Sequence, residues 1–316
     1  MSAAIDQPLV SMVIPSYNHD RYIQACINSV IDQDYLNIEL IIIDDGSTDG
    51  SRCKIEELVP ACTTRFARFE FRSRPNKGLS ATIDEGLAWA RGQYFAAIAS
   101  DDILLPAKTS TLLRSIADEP NVAGVFGGCE LIDADGAFIR SSRPRAAYLE
   151  FDDLLLRRRH LIVASSQLLR TEAVRAVGGY PPNLFIEDWY MWLKLTDHGY
   201  RLKIVPVVLV RYRQHASSIS KQAVKMYESR RLILGHFRDH RGISLILAKV
   251  SLMAAIDFSF TSKRTALSYL LESVRAAPSV ILTAYFFSAL GRVLAPNPVL
   301  KLLRRAKARL LRESMQ

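Results

Sequence analysis

Asp101 and Asp102 are the residues on which chemistry can first be built. They follow Ser100 at the end of an apolar run that begins at Tyr94. Two adjacent carboxylates repel one another unless a proton or a cation sits with them. A hard divalent cation that also holds the phosphates of a ligand satisfies both acids. The same pair has an explanation without a ligand, in which Asp102 caps the turn that starts near Pro106. A second acidic block, Asp44-Asp45-Gly46-Ser47-Thr48-Asp49, closes another apolar run, and acids and small residues there can cap a following helix. Two further groups carry reactive side chains: Glu187-Asp188 opens an aromatic-rich stretch, and Arg211-Tyr212-Arg213-Gln214-His215 ends an apolar one.

Such residues need a scaffold that brings them together. Leu9–Ile14, Ile38–Ile43 and Tyr94–Ala99 are short apolar runs without helical periodicity, which predicts buried strands. A further strand is expected near Arg68–Arg72, with helices over Arg21–Asp32 and Ser80–Ala90. Strand, loop and helix repeated at short spacing predict a parallel α/β sheet. Open sheets of that kind bind ligands at the carboxyl edge of their strands, where Asp101 and Asp102 would lie.

Beyond Pro106 the pattern loosens. It predicts helices over Lys108–Ala117, Asp152–Arg159 and Glu187–Thr196, with short strands at Val122–Phe126 and Glu130–Ile132. Arg201–Arg213 reads as two apolar runs split by Pro206, and the chain from about Val224 onward is helical in composition. Ser279–Leu294 is strongly apolar. In Val299–Arg312, Val299, Leu303, Ala306 and Leu310 share one helical face, while Lys301, Arg305, Arg309 and Arg312 line another. That pattern suits an interfacial helix on an anionic membrane surface, or a helix packed on the body with a solvated basic face.

The chain has 316 residues and a net charge of +9, enough length for one large domain or a domain with an appendage. The charge excess falls after residue 240, where 12 Lys and Arg face 3 acids. The preceding part is neutral overall and lacks the basic footprint that nucleic acid requires, so no nucleic-acid partner is expected and the basic end is expected to have a partner of its own. Cys26, Cys53, Cys62 and Cys129 form no CxxC pair, which fits a reducing cytosol. The first residues lack the basic-then-apolar pattern of a signal peptide. The longest apolar window falls well short of the roughly 20 residues of a membrane span. The expected location is cytoplasmic, peripheral on the inner face of the cell membrane.

Taken in order, Pro15-Ser16-Tyr17-Asn18, the Asp44–Asp49 block, Asn76-Lys77-Gly78-Leu79-Ser80, Ser100-Asp101-Asp102 with Pro106, Glu187-Asp188-Trp189 and Arg211–His215 span about Pro8 to Ser220. This arrangement resembles the family 2 glycosyltransferases, inverting enzymes of the GT-A fold found in bacterial surface-polysaccharide synthesis. The resemblance implies a Rossmann-like, mostly parallel sheet with flanking helices over residues 1–220, and composition and charge predict a helical basic extension over 221–316. It implies transfer of a sugar from a nucleotide-diphosphate donor, a UDP-sugar, to an acceptor hydroxyl, and the basic extension suggests that the acceptor is a lipid-linked glycan. The site residues follow from the same resemblance. Pro15, Ser16, Tyr17, Asn18, Asp45, Asn76, Lys77, Ser100, Asp101 and Arg213 would bind the nucleotide-sugar. Asp101, Asp102 and His215 would hold Mn²⁺ or Mg²⁺, with the division of labour between the two acids left open. Asp188 would be the general base, with Glu187 as the alternative. Trp189, Tyr190 and Trp192 could stack on a sugar, though their helical spacing suits a core, above all for Trp192.

Two positions depart from the family pattern. Ala99 stands where an additional acid is usual, and Ile83-Asp84 where Arg-Asn is common. The competing functions are a nucleotidyltransferase, which would want a Gly-rich loop after the first strand that Pro15–Asp20 lacks, and a non-catalytic nucleotide-sugar binding protein.

Overall fold

The computed structural model describes residues 7–155, 162–215, 222–296 and 298–299. The chain divides into two compact units, Met1–Ala216 and Ser217–Gln316.

The first unit is built on a ten-stranded sheet. Its strands are β1 (Val10–Ser16), β2 (Ile38–Asp44), β3 (Arg68–Ser73), β4 (Tyr94–Ala97), β5 (Ile103–Leu104), β6 (Val122–Ile132), β7 (Phe138–Ser142), β8 (Ala147–Leu149), β9 (Gln167–Arg170) and β10 (Arg201–Arg213). The path runs β3-β2-β1-β4-β9-β6-β10-β5, with β7 on β6 and β8 on β10. Strands β3, β2, β1 and β4 are parallel neighbours. Strand β9 pairs antiparallel with both β4 and β6, and β10 lies parallel to β6. One antiparallel strand inserted between parallel ones leaves β1, β2, β4, β6 and β10 pointing the same way. Their carboxyl ends therefore share one edge.

The helices of this unit are α1 (Ile23–Ile31), α2 (Ser51–Glu56), α3 (Val59–Arg65), α4 (Leu79–Trp89), α5 (Lys108–Ile116), α6 (Phe151–Leu155), α7 (Thr171–Ala176) and α8 (Glu187–Asp197). Helix α1 buries Ile23, Cys26, Ile27 and Val30 in the same core as Met12, Ile14, Leu40 and Ile42. Each aliphatic side chain so buried contributes roughly 1.5–3 kcal/mol, which explains why β1 and β2 are apolar without alternation: both faces are covered.

Two sequence expectations give way here. Val122–Phe126 and Glu130–Ile132 join into the single strand β6. Gly127 and Gly128, which look like a break, are close-approach points. A Cβ at Gly127 would lie 2.5 Å from Leu209 Cδ1, and one at Gly128 would lie 2.4 Å from the Ser142 carbonyl oxygen. Likewise Pro206 does not divide Arg201–Arg213, because β10 passes through it with a shift of register against β6 between Ile204 and Val208. A bulge accommodates the missing N–H of proline. Of the helix expected at Asp152–Arg159 the structure describes Phe151–Leu155, and the remainder lies outside the described residues.

The second unit contains α9 (Ala223–Gly235), α10 (Ile243–Phe258), α11 (Lys263–Ala276) and α12 (Ala284–Leu294). Its core is Ala248, Leu252, Ala255, Ala266, Leu270, Val280, Ala289 and Val293. The apolar segment Ser279–Leu294 is interrupted: a 3₁₀ turn at Pro278–Leu282 precedes α12, and Thr283 caps α12 by accepting from the Phe286 N–H at 3.2 Å. No helix among the described residues is long and apolar enough to cross a membrane. The amphipathic stretch expected over Val299–Arg312 lies outside the described residues from Leu300 onward.

Lys108 is a structural liability. It is fully buried in α5, with Nζ donating to the Gln167 carbonyl at 2.9 Å. Burial drives its ammonium from 10.5 down to about 7. As pH falls from 10.5 towards 7 the unfolded chain takes up a proton that the folded chain refuses, so stability falls over that window and levels off below it. Lys108→Met is expected to stabilise the protein by about 1–3 kcal/mol at pH 6, relief of desolvation exceeding the lost hydrogen bond. The gain should vanish towards pH 10.5. Denaturant titrations of both proteins across that range check it, and a gain independent of pH would refute the titration argument.

Candidate functional site

The shared carboxyl edge gathers loops that are distant in sequence. After β4, Asp101 and Asp102 have different surroundings. Asp101 Oδ2 lies 2.7 Å from His215 Nε2, just beyond β10. The His19 imidazole, from the loop after β1, joins them: His19, Asp101 and His215 each present one ligand atom, all within 4.8 Å of one another. Two imidazole nitrogens and a carboxylate oxygen form a donor set that fits a divalent cation. Tyr22 packs beside both imidazoles, its ring centroid 6.0 Å from His19 and 5.1 Å from His215. Burial lowers the His19 pKa, against the opposing pull of Asp101, and so favours the neutral ring that a ligand must offer.

Asp102 is buried, 1% exposed. Its Oδ2 accepts from Ser165 Oγ at 2.6 Å and its Oδ1 from the Arg213 N–H at 2.9 Å. Burial, then the Asp101 charge, push its pKa well above the usual carboxylate range. It thus ties the end of β4 to the end of β10 and to the start of β9. The Arg213 guanidinium is turned into the protein: Nε donates to the Asp101 carbonyl at 2.9 Å and Nη1 to the carbonyls of Asp133 and Ala134. It also lies 4.8 Å from the Tyr22 ring centroid. Ser100 meets His19, Oγ to Nδ1 at 2.7 Å. Ala99 donates its N–H to Ser165 Oγ at 3.1 Å, so the serine reaches the acidic turn twice.

A second group lies around the ends of β1 and β2. Pro15 and Ser16 are buried at the close of β1, Tyr17 is 48% exposed and Asn18 is exposed. Ser16 Oγ is buried without a hydrogen-bond partner among the described residues. Asn18 adopts φ 52°, the left-handed region. It is held there by Thr48 N–H to its Oδ1 at 2.8 Å and by its own N–H to Ser47 Oγ at 2.9 Å. Asp45 accepts from the N–H groups of Lys77 at 2.8 Å and Gly78 at 2.9 Å, and pairs with Arg74. Gly46, at φ +76°, lets the acidic loop pass the 74–76 backbone, since a Cβ there would lie 2.8 Å from the Asn76 nitrogen. Asn76 and Lys77 are exposed beside it.

Glu187 and Asp188 form a third group, in the first turn of α8. Glu187 is buried and Asp188 is partly exposed. Burial, then the Asp188 charge, drive the Glu187 pKa well upward. Burial beside a second acid thus favours the neutral form of Glu187 over its charged form. The loop before α8 is fastened to α4, with Ser80 Oγ donating to the Pro181 carbonyl at 2.6 Å and Tyr180 N–H to Asp84 Oδ1 at 2.9 Å. Asp84 thus supports that loop, and Ile83 is buried. Trp189, Tyr190 and Trp192 are buried. The two indoles donate to the Leu154 carbonyl and to Gln167 Oε1, so these rings serve as core.

His19, Tyr22 and Ser165 escaped the sequence reading. A signal existed for His19, the next residue after Tyr17-Asn18 at a strand end. None existed for Ser165, which reaches Asp102 through the antiparallel strand inserted between β4 and β6.

Comparison with known proteins places these observations among relatives. The family Glycosyl transferase family 2 matches residues 11–178. The chain is 27% identical over 240 residues to the Escherichia coli UDP-Glc:alpha-D-GlcNAc-diphosphoundecaprenol beta-1,3-glucosyltransferase WfgD, covering 74% of this chain and 88% of WfgD. Of two other curated relatives it spans only 36% and 31% of the length. Among solved structures, S. aureus TarS 1-349 in complex with UDP-GlcNAc superposes with a TM-score of 0.64 at 18% identity, covering 86% of this chain and 82% of TarS. The Pyrobaculum calidifontis mannosyltransferase PcManGT in complex with GDP-Man and Mn²⁺ superposes at 0.58 and 16% identity, covering 91% and 87%. The first unit therefore has the GT-A-like fold.

Proposed function

This chain belongs to glycosyl transferase family 2, and from that premise we propose that it moves one sugar from a UDP-sugar to a hydroxyl of a lipid-linked glycan, with inversion at the anomeric carbon. The observation that carries the reading is the convergence of Asp101, Asp102 and His215 at one sheet edge, with the Asp45 loop at the ends of the neighbouring strands. We assign residues 1–216 to the glycosyltransferase domain and the rest to an appendage, in line with the division of the chain into two units.

Asp101 and His215 would hold a divalent ion, whose chemistry is to neutralise the charge that builds on the leaving diphosphate. Asp102 fixes the turn that presents Asp101, through Ser165 and Arg213. Asn18, Asp45, Asn76 and Lys77 would line the nucleoside and phosphate side, where the buried Ser16 Oγ offers a further polar atom. Asp188, the partly exposed member of its pair, would take the acceptor hydroxyl's proton in a single displacement. The names of WfgD and TarS's bound ligand support UDP as the carrier.

Calorimetry with UDP, GDP and dTDP, with and without Mn²⁺, tests the donor class. UDP is expected to bind at least 10-fold tighter with Mn²⁺, and Asp101→Ala should remove that increment. No binding of any diphosphate would overturn the reading. A lipid-linked acceptor fits the basic C-terminal end, which carries 8 Lys and Arg between Glu272 and Glu313 without an intervening acid. It also fits the exposed Leu282, Phe287 and Leu294. Cosedimentation with vesicles rich in phosphatidylglycerol is expected, and its persistence after deletion of residues 299–316 would remove the assigned role of that segment.

A further inference from the structure

We propose that His19 is a third protein ligand of the divalent ion, so that this chain offers two imidazoles and one carboxylate rather than a set dominated by oxygen. The proposal rests on the assignment of Asp101 and His215 as ligands of that ion.

Three observations carry it. The first is proximity: the ligand atoms of His19, Asp101 and His215 lie within 4.8 Å of one another. Ligands bound at about 2.0–2.2 Å from a common ion lie about 3–4.4 Å apart, so small side-chain adjustments close the set. The second is orientation. His19 Nδ1 meets Ser100 Oγ at 2.7 Å. A ligating imidazole characteristically gives its other ring N–H to an oxygen, which fixes the tautomer and leaves one nitrogen lone pair for the metal. In the tautomer whose Nδ1–H donates to Ser100, that nitrogen is Nε2. The third is rigidity. The His19 backbone is pinned by its N–H to Ser51 Oγ at 2.9 Å and by its carbonyl, which accepts from the N–H groups of Tyr22 and Ile23 at the start of α1. The ring itself packs edge-on to His215 at 5.6 Å between centroids. The ring is thus fixed through Nδ1 and through its backbone.

The arrangement has a consequence for metal choice. Carboxylate and phosphate oxygens suit Mg²⁺, whereas imidazole suits first-row transition metals. The chain should therefore prefer Mn²⁺, Co²⁺ or Zn²⁺ to Mg²⁺. His19 would supply a donor that Ala99, standing where an acid is usual, does not.

The test counts imidazoles directly. Electron spin-echo modulation of the full chain loaded with Mn²⁺ reports coupled nitrogens without any turnover and needs no variant to fold. Two imidazoles are expected in the unaltered protein, and one in each of His19→Ala and His215→Ala. By calorimetry with the metal alone, His19→Ala is expected to weaken Mn²⁺ at least 10-fold and Mg²⁺ less than about 3-fold. One imidazole in the unaltered protein, with the His19→Ala spectrum unchanged, would overturn the proposal and leave the Asp101–His215 assignment standing. No coupled nitrogen at all would overturn both.

Discussion

Asp188→Asn is expected to lower turnover by about 10²–10⁴-fold, the range over which a positioned base accelerates proton transfer, while leaving affinity for the nucleotide within about 3-fold. The substitution removes the charge and keeps the shape, so the first turn of α8 should be undisturbed. Glu187→Gln should cost far less. Burial and the neighbouring Asp188 both push the Glu187 pKa upward, towards its neutral form, and glutamine imitates that form. The pH profile follows from the same pair. A base works only when unprotonated, so the rate should rise with pH as the Glu187–Asp188 pair releases its first proton, and the pair must be treated as one titrating unit. Steady-state rates with a UDP-sugar, paired with calorimetry on both variants, check the assignment. If Glu187→Gln abolished turnover and Asp188→Asn did not, the two acids would exchange roles.

Glu39→Ala is expected to destabilise the first unit by about 3–5 kcal/mol, the loss typical of breaking a buried charge pair by removing one partner. Glu39 is fully buried in β2. Its Oε1 accepts from Ser11 Oγ at 2.6 Å, Arg91 N–H at 2.5 Å and Gly92 N–H at 3.1 Å, and Oε2 pairs with Arg68 Nη1 at 3.1 Å. Truncation takes the carboxylate from the Arg91 N–H, the Ser11 hydroxyl and the Arg68 guanidinium, while the Gly92 N–H keeps Ser11 Oγ at 2.8 Å. Arg68 keeps its bond to the Trp89 carbonyl at 3.0 Å and its place 3.7 Å from the Trp89 ring centroid, so Arg68→Ala should still cost those contacts in the Glu39→Ala background, and a double-mutant cycle separates them from the ion pair. A melting point lowered by about 8–15 °C is the expected size for a unit of this length. A loss below about 1 kcal/mol would mean that water replaces the carboxylate, contrary to the closeness of β1, β2 and the 91–92 turn.

The parallel core and its loaded edge were legible in the chain because they are written in local pattern. Apolar runs without periodicity at Leu9–Ile14, Ile38–Ile43 and Tyr94–Ala99, too short for helices and bounded by turn residues, read as strands covered on both faces. The side chains that follow each run are then delivered to the same edge. The interior of β6 was misread because glycine signals a break in isolation, while here Leu209 and Ser142 approach it too closely for any side chain. Pro206 was misread for a related reason: whether a proline ends a strand depends on what its partner strand can absorb, and β6 absorbs a bulge.

By itself, then, the sequence determined the fold class and the order of the motifs, and it named Asp101, Asp102 and His215 as candidates that the fold brings to one sheet edge. Only the tertiary structure decided how the two adjacent acids differ. Asp102 is tied to Ser165 and Arg213, 63 and 111 residues away, while Asp101 faces His215, 114 residues away. Neighbours in sequence share their local pattern, but burial and charge are set by whatever the fold places opposite. Two carboxylates one residue apart thus acquire different chemistry from contacts that no local pattern encodes.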